Sequence, residues 1–379
     1  MLLNTLKSLP RDLETTYDQI IQRINEKEIP SAQVILQWLV FGMSPLTPED
    51  LAVIVTFNPS SGQFDSSLGL VHPDDVIQLC YSLVIKAANG TVQLAHASVK
   101  EYFIAQPRTI LSNTDMGHAS IAYCCLRYIL LPPADRMQQS LLRYSAWFWP
   151  DHYRLSNKNS TLSDTATMFF LADDYFLTWV KIYERFNYHV REMKQNYHNI
   201  LPLHYAVLLG LQDITKNLVA SNQWHGVYDS TIQIAANGGH TGIVRILMEK
   251  GANVNAQGGE HGNALQAASP QGHAEIVRLL LDNGADVNAQ GGKYSNALLA
   301  ASLKGHAGIV RLLLDKGADM NTEGEKCCHA LQTASIQGHA EIVMLLLEKG
   351  ADANAPCNKH CNALQCIACC IIIWSCWNC

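Results

Sequence analysis

A spacing of 33 residues constrains this chain more than any other feature. Gly-His recurs at Gly239-His240, Gly272-His273, Gly305-His306 and Gly338-His339. Gly251, Gly284, Gly317 and Gly350 keep the same period, as do Asn255, Asn288, Asn321 and Asn354. Features locked in one register mark a repeated supersecondary unit, and such units bury their apolar faces only by stacking on their neighbours.

One unit reads NALQAASPQGHAEIVRLLLDNGADVNAQGG, from Asn263 to Gly292. Asn263 is a good N-cap for a short helix whose small residues, Ala264, Ala267 and Ala268, permit close packing. Gly272 suits its C-terminal stop. A second helix follows, in which Ile276, Val277, Leu279, Leu280 and Leu281 are too apolar to face water and must pack on adjacent units. Gly284 suits a left-handed position after that helix. Ala285 to Gly292 then projects as a polar turn or hairpin.

This unit resembles the ankyrin repeat. The family's Thr-Pro-Leu-His opening stands here as Asn-Ala-Leu-Gln, and Leu201-Pro202-Leu203-His204, followed by Tyr205-Ala206 and Gly210, is a degenerate copy closer to the family wording. Units open near Leu201, Ser230, Asn263, Asn296 and His329, with a sixth begun at Asn362 and the first connection about four residues short. The resemblance implies a curved stack that displays variable residues from a fixed scaffold. Positions that change type between units are the candidate partner contacts. On the hairpin tips these are Glu260 and His261, Lys293 and Tyr294, Lys326 and Cys327, Lys359 and His360. On the inner helix ends they are Pro270 and Gln271, Leu303 and Lys304, Ile336 and Gln337. The fixed place of the Gly-His histidines at a helix junction points to a structural role rather than to metal binding.

The first half reads as helices and one hairpin. Residues 11–24 carry Leu13, Tyr17, Ile20, Ile21 and Ile24 on one helical face. Ser31 opens a second helix, and Thr47-Pro48-Glu49-Asp50 sets an N-cap, a proline and two acids ahead of a third through Leu51–Val55. Asp74 and Asp75 open a fourth. Asn89-Gly90 is a strong short hairpin signal, and a last helix covers Ser98 to Ile104. Three helices followed by a two-stranded wing is a winged-helix order. The strings LPRDLETTYDQIIQRI, ILQWLVFGMSPLTPEDLAVIV and VQLAHASVKEYF resemble the winged-helix region that follows the NACHT module in fungal NLR-like ankyrin proteins, a domain type also named for GPI inositol-deacylase. YCCLRYI and YSAWFWPDHYR, with Tyr144, Trp147, Trp149 and His152, resemble the helical segment between that region and the ankyrins.

The expected fold is therefore mainly α, with a helical linker over 1–29, a winged helix over 30–108, a helical linker domain over 109–197, ankyrin repeats over 198–365 and an aberrant Cys-rich tail over 366–379. The resemblance implies the regulatory and sensing half of an NLR-like receptor, and a chain that is the C-terminal part of such a receptor. No G-x-x-x-x-G-K-[ST] occurs, so nothing here cradles a phosphate. No G-x-S-x-G or H-E-x-x-H occurs either, and Asp151-His152 lies in an aromatic helical setting that reads as core. The expectation is a non-enzymatic scaffold without cofactor.

Charge removes further classes. Residues 31–105 hold Lys86 and Lys100 against Glu49, Asp50, Asp65, Asp74, Asp75 and Glu101, the reverse of what phosphate neutralisation needs, so no nucleic acid partner is expected. A hydrophobic content of 48% rules out a wholly disordered chain. The longest apolar run is too short to span a bilayer, and MLLNTLKSLPRDL lacks a secretory h-region, so a cytoplasmic protein with a protein partner, and neither a membrane nor a small-molecule substrate, is expected. Of 12 cysteines, Cys80, Cys124, Cys125, Cys327 and Cys328 read as free thiols. The other seven crowd the end in and before CIACCIIIWSCWNC. Cys366-x-x-Cys369 and Cys376-x-x-Cys379 have the form of zinc pairs, but the gap between them is shorter than zinc sites use, and a loss of reading register fits better.

Overall fold

A computed structural model describes residues 13–65, 67, 69–70, 72–105, 114–136, 138–157, 160–184, 201–221, 226–322 and 329–353. The chain divides into two compact units, 1–188 and 189–379.

The first unit opens with α1 (Leu13–Ile21), α2 (Ile29–Phe41) and α3 (Pro48–Val55). Thr47 and Asp50 close a capping box on α3, the Asp50 amide donating to Thr47 Oγ1 at 3.2 Å and the Thr47 amide to Asp50 Oδ2 at 3.0 Å. Asp50 is 1% exposed, a cost met by a third bond, from Ser140 Oγ at 2.6 Å. Strands β1 (Phe57–Asn58) and β2 (Gln63–Phe64) form a small hairpin absent from the sequence expectation. After α4 (Asp75–Leu79), β3 (Val84–Lys86) and β4 (Val92–Leu94) pair antiparallel around the expected Asn89-Gly90 turn, where Gly90 takes a φ of +83°. Leu46 bridges to Val92 on the outer side of β4. Then come α5 (Ala97–Ala105), α6 (Thr114–Ile129), α7 (Gln139–Leu155), α8 (Ser160–Leu171) and α9 (Asp173–Glu184). On α1, Tyr17 is buried, as is Ile24 just after the helix, but Leu13 is 59% exposed, so the apolar face expected there does not extend to the start of the helix.

Around α7 the core is aromatic. Trp149 packs edge-on against Phe169, Phe170 and Trp179, with ring centroids 5.7–6.1 Å apart. Pro150 sits inside α7, and the Trp179 indole donates to the Ala146 carbonyl oxygen at 2.8 Å. His152 is fully buried, in keeping with a core role. Tyr144 Oη accepts from the Met43 amide at 3.1 Å and is hydrogen-bonded to His152 Nε2 at 2.9 Å. His152 Nδ1 lies 2.8 Å from His118 Nδ1, so the two rings share one hydrogen bond. Burial, with His118 beside it, lowers His152 to about 3. Cys80, Cys124 and Cys125 are free and buried, and burial pushes the Cys80 and Cys125 thiols up to about 12.

The second unit is a run of helix pairs: α10 (Pro202–Leu208) with α11 (Gln212–Ala220), α12 (Tyr228–Asn237) with α13 (Thr241–Glu249), α14 (Ala264–Ala268) with α15 (Ala274–Asp282), α16 (Ala297–Lys304) with α17 (Ala307–Asp315), and α18 (Ala330–Ile336) with α19 (Ala340–Glu348). Asn263 caps α14 as its sequence demands, accepting from the Gln266 amide at 2.8 Å, and Asn296 does the same for α16. Ile276, Val277 and Leu280 of α15 are buried, while Leu279 and Leu281 are half-buried. The second pair opens at Tyr228, two residues ahead of the expected Ser230.

Candidate interaction surface

What a stack of this kind can present depends on how rigidly its units hold one another, and three ladders do so. In the first, each Gly-His histidine lies under the glycine of the preceding pair. A Cβ on Gly210, Gly239, Gly272 or Gly305 would stand 2.6–2.8 Å from the ring of His240, His273, His306 or His339, so only glycine fits. The same rings bond backward through Nε2: His273 to the Asn237 carbonyl at 3.1 Å, His306 to that of Pro270 at 3.0 Å, His339 to that of Leu303 at 3.3 Å. These contacts give the histidines their structural role.

The second ladder runs along the loops after the outer helices. Asn255 Nδ2 donates to the Gly284 carbonyl at 3.0 Å, and Asn255 Oδ1 accepts from the Asp286 amide at 2.7 Å. Asn288 repeats both bonds with Gly317 and Asp319. The third is ionic: Lys316 meets Asp282 at 2.8 Å and Lys349 meets Asp315 at 2.9 Å, both pairs exposed and of small energetic worth.

Two hairpin tips are coupled more tightly still. Gly292 lies so close to the preceding tip that a Cβ there would stand 2.2 Å from the His261 carbonyl. The Lys293 amide donates to the Glu260 carbonyl at 2.9 Å, and Lys293 Nζ reaches Glu260 Oε1 at 2.8 Å and stands 5.9 Å above the Tyr294 ring. Gln266 Nε2, inside the stack, donates to the Ala289 and Ser295 carbonyls at 2.9 and 3.1 Å and so holds the root of this tip. Ser295 has a φ of +67° at the register position where the preceding tip has Gly262 at +90°. His261 is half-buried with Nδ1 unbonded, and burial, the main cause, lowers its pKa.

The candidate contacts divide accordingly. Glu260, His261, Lys293 and Tyr294 come together on the paired tips, with Lys293 exposed and the others half-buried. Gln271, Lys304, Ile336 and Gln337 are exposed at the inner helix ends, and Leu303 is half-buried. Gln271 is engaged within the array, donating to Asn237 Oδ1 at 3.0 Å. Pro270 is a correction: it is buried between units and its carbonyl is occupied by His306, so it presents no surface to a partner. Lys326, Cys327, Cys328, Lys359, His360 and the cysteines of 357–379 lie outside the described residues. The expectation missed Gly292, Ser295 and Asn237; the Gly258-Gly259 and Gly291-Gly292 pairs were the available signal for a close backbone approach.

Residues 203–291 and 298–371 match the family model for ankyrin repeats (3 copies). The C-terminal region is an ankyrin-repeat array. The chain is also similar to the azaphilone pigments biosynthesis cluster protein L of Monascus ruber, at 33% identity over 292 residues, which is 66% of this chain and 61% of that protein. The match thus spans about three-fifths of that relative's length. No helix among the described residues is long and apolar enough to cross a membrane.

Proposed function

We propose that this chain is a non-catalytic protein–protein interaction scaffold whose ankyrin tips at Glu260–His261 and Lys293–Tyr294 make the principal partner contact. The carrying observation is the lock between those tips: Gly292 against the His261 backbone, and Lys293 against Glu260 through both main chain and side chain. A surface already ordered before binding loses little conformational entropy on association, and a held tyrosine is a residue type that anchors interfaces. The Monascus relative is named for a biosynthesis cluster, in which a scaffold would serve to hold partner proteins. In the finer reading, residues 30–108 are a winged-helix domain and the chain is the regulatory half of a cytoplasmic NLR-like receptor. On that reading a nucleotide-binding module belongs elsewhere, and this chain alone binds no ATP.

The test places a photo-crosslinking side chain at position 294 and, separately, at position 278 on the exposed outer face of α15. Irradiation in an extract of the native cells should give a discrete protein adduct from position 294 and not from 278. Adducts of equal yield from both positions, or none from 294, would refute the assignment of the tips.

A further inference from the structure

The N-terminal unit holds a cleft of about 700 Å³ that the ankyrin reading does not use. Its walls are apolar and come from four places in the chain: Ala52 and Val53 of α3, Phe64 of β2, Leu70 and Pro73 ahead of α4, and Leu131 just after α6. Two carboxylates stand among them, Glu49 on the first turn of α3 and Asp135 on the 3-10 turn after α6. No lysine or arginine among the described residues lines the cleft, and neither carboxylate makes an ion pair or side-chain hydrogen bond there. Lys86, whose charge Glu49 feels, is held instead by Asp74 at 2.7 Å.

Apolar walls of this extent with two unmatched negative charges are complementary to one kind of occupant. We propose that the cleft docks a peptide segment of a partner protein in which lysine or arginine stands beside bulky apolar side chains. Both carboxylates are exposed, so a free amine would gain little from them. A chain that carries its cations next to apolar anchors gains the apolar burial and uses the carboxylates for orientation and register.

The experiment uses the full chain and two fluorescein-labelled synthetic peptides, one of alternating leucine and lysine and one of alternating leucine and glutamate, read by fluorescence anisotropy. The leucine–lysine peptide should bind saturably and the leucine–glutamate peptide should not. Glu49→Gln with Asp135→Asn should weaken binding roughly three- to tenfold. Glu49→Lys with Asp135→Lys should transfer the preference to the leucine–glutamate peptide, with the melting midpoint lowered only slightly, by the cation set at the N-terminus of α3. Equal binding of both peptides, or a neutralised variant that binds as the unaltered chain does, overturns the proposal. So does dodecylammonium binding as tightly as the peptide, which would make the cleft a site for a small amphiphile.

Discussion

The indole nitrogen of Trp179 donates to the carbonyl oxygen of Ala146 at 2.8 Å, and Ala146 is the residue four before Pro150. Proline has no N–H to return to that carbonyl, so α7 carries an acceptor that its own ladder leaves open in the aromatic core. Trp179→Phe should remove the substitute donor and cost about 1–3 kcal/mol for the stranded acceptor, in addition to lost packing. Pro150→Ala restores a helical N–H, so the two changes should couple by roughly 1 kcal/mol or more in a double-mutant cycle read by urea unfolding. Strict additivity would show that the indole does not replace the missing helical bond.

Leu280 is fully buried on α15, whereas Tyr294 is half-buried at a tip. Leu280→Ala should destabilise the array by about 2–5 kcal/mol through cavity formation, and Tyr294→Ala should leave its stability nearly unchanged. A large loss of folding from Tyr294→Ala, measured by thermal or urea melts, would undo the division between scaffold and contact.

Glycines at two register positions separate backbone strain from packing. Gly272 and Gly284 have φ of +84° and +86°, but a Cβ at Gly272 would meet His306 at 2.8 Å while one at Gly284 would meet nothing within 4 Å. Gly284→Ala should therefore cost only the left-handed backbone penalty, roughly 1–2 kcal/mol. Gly272→Ala should cost measurably more. Equal losses in chemical denaturation would mean that the histidine ladder yields freely.

His152 titrates at about 3 when folded, against an ordinary 6.5, because burial disfavours its cation. Below 6.5 the unfolded chain takes up a proton that the folded chain refuses, so stability falls as pH drops from 6.5 toward 3. The loss from this group should reach about 2 kcal/mol by pH 5. Urea melts at pH 7.5 and 5 should show a smaller pH difference for His152→Gln than for the unaltered chain. Identical differences would place the acid sensitivity elsewhere.

The array was legible because its determinants repeat: Asn263 caps, Gly272 turns and Leu280 buries, each predicted by its own chemistry and again by its register. Pro270 was misplaced because position in the repeat shows which residues end the inner helix but not which of them the next unit covers. The β1–β2 hairpin was missed because two residues per strand give no alternation, although Asn58-Pro59-Ser60-Ser61-Gly62 is turn-rich and Phe57 meets Phe64 at 5.0 Å. Ser295 stands one period after Gly262, but a serine at that position does not by itself announce a left-handed backbone. The acidic cleft is assembled from residues distant in sequence, so no local spacing announces it.

The shortened first connection shows where the stack has slack. His240 reaches back 32 residues to the Leu208 carbonyl, whereas His273, His306 and His339 each reach back 36 to theirs, yet all four rings seat under a glycine in the same way. Loop length can therefore drift while the joint keeps the same ring-on-glycine contact at all four places. Lineages that lengthen or trim the fingers of such an array would reshape what it grips while leaving its spine intact, and a grafted finger should be accepted wherever the Gly-His seam on either side is preserved.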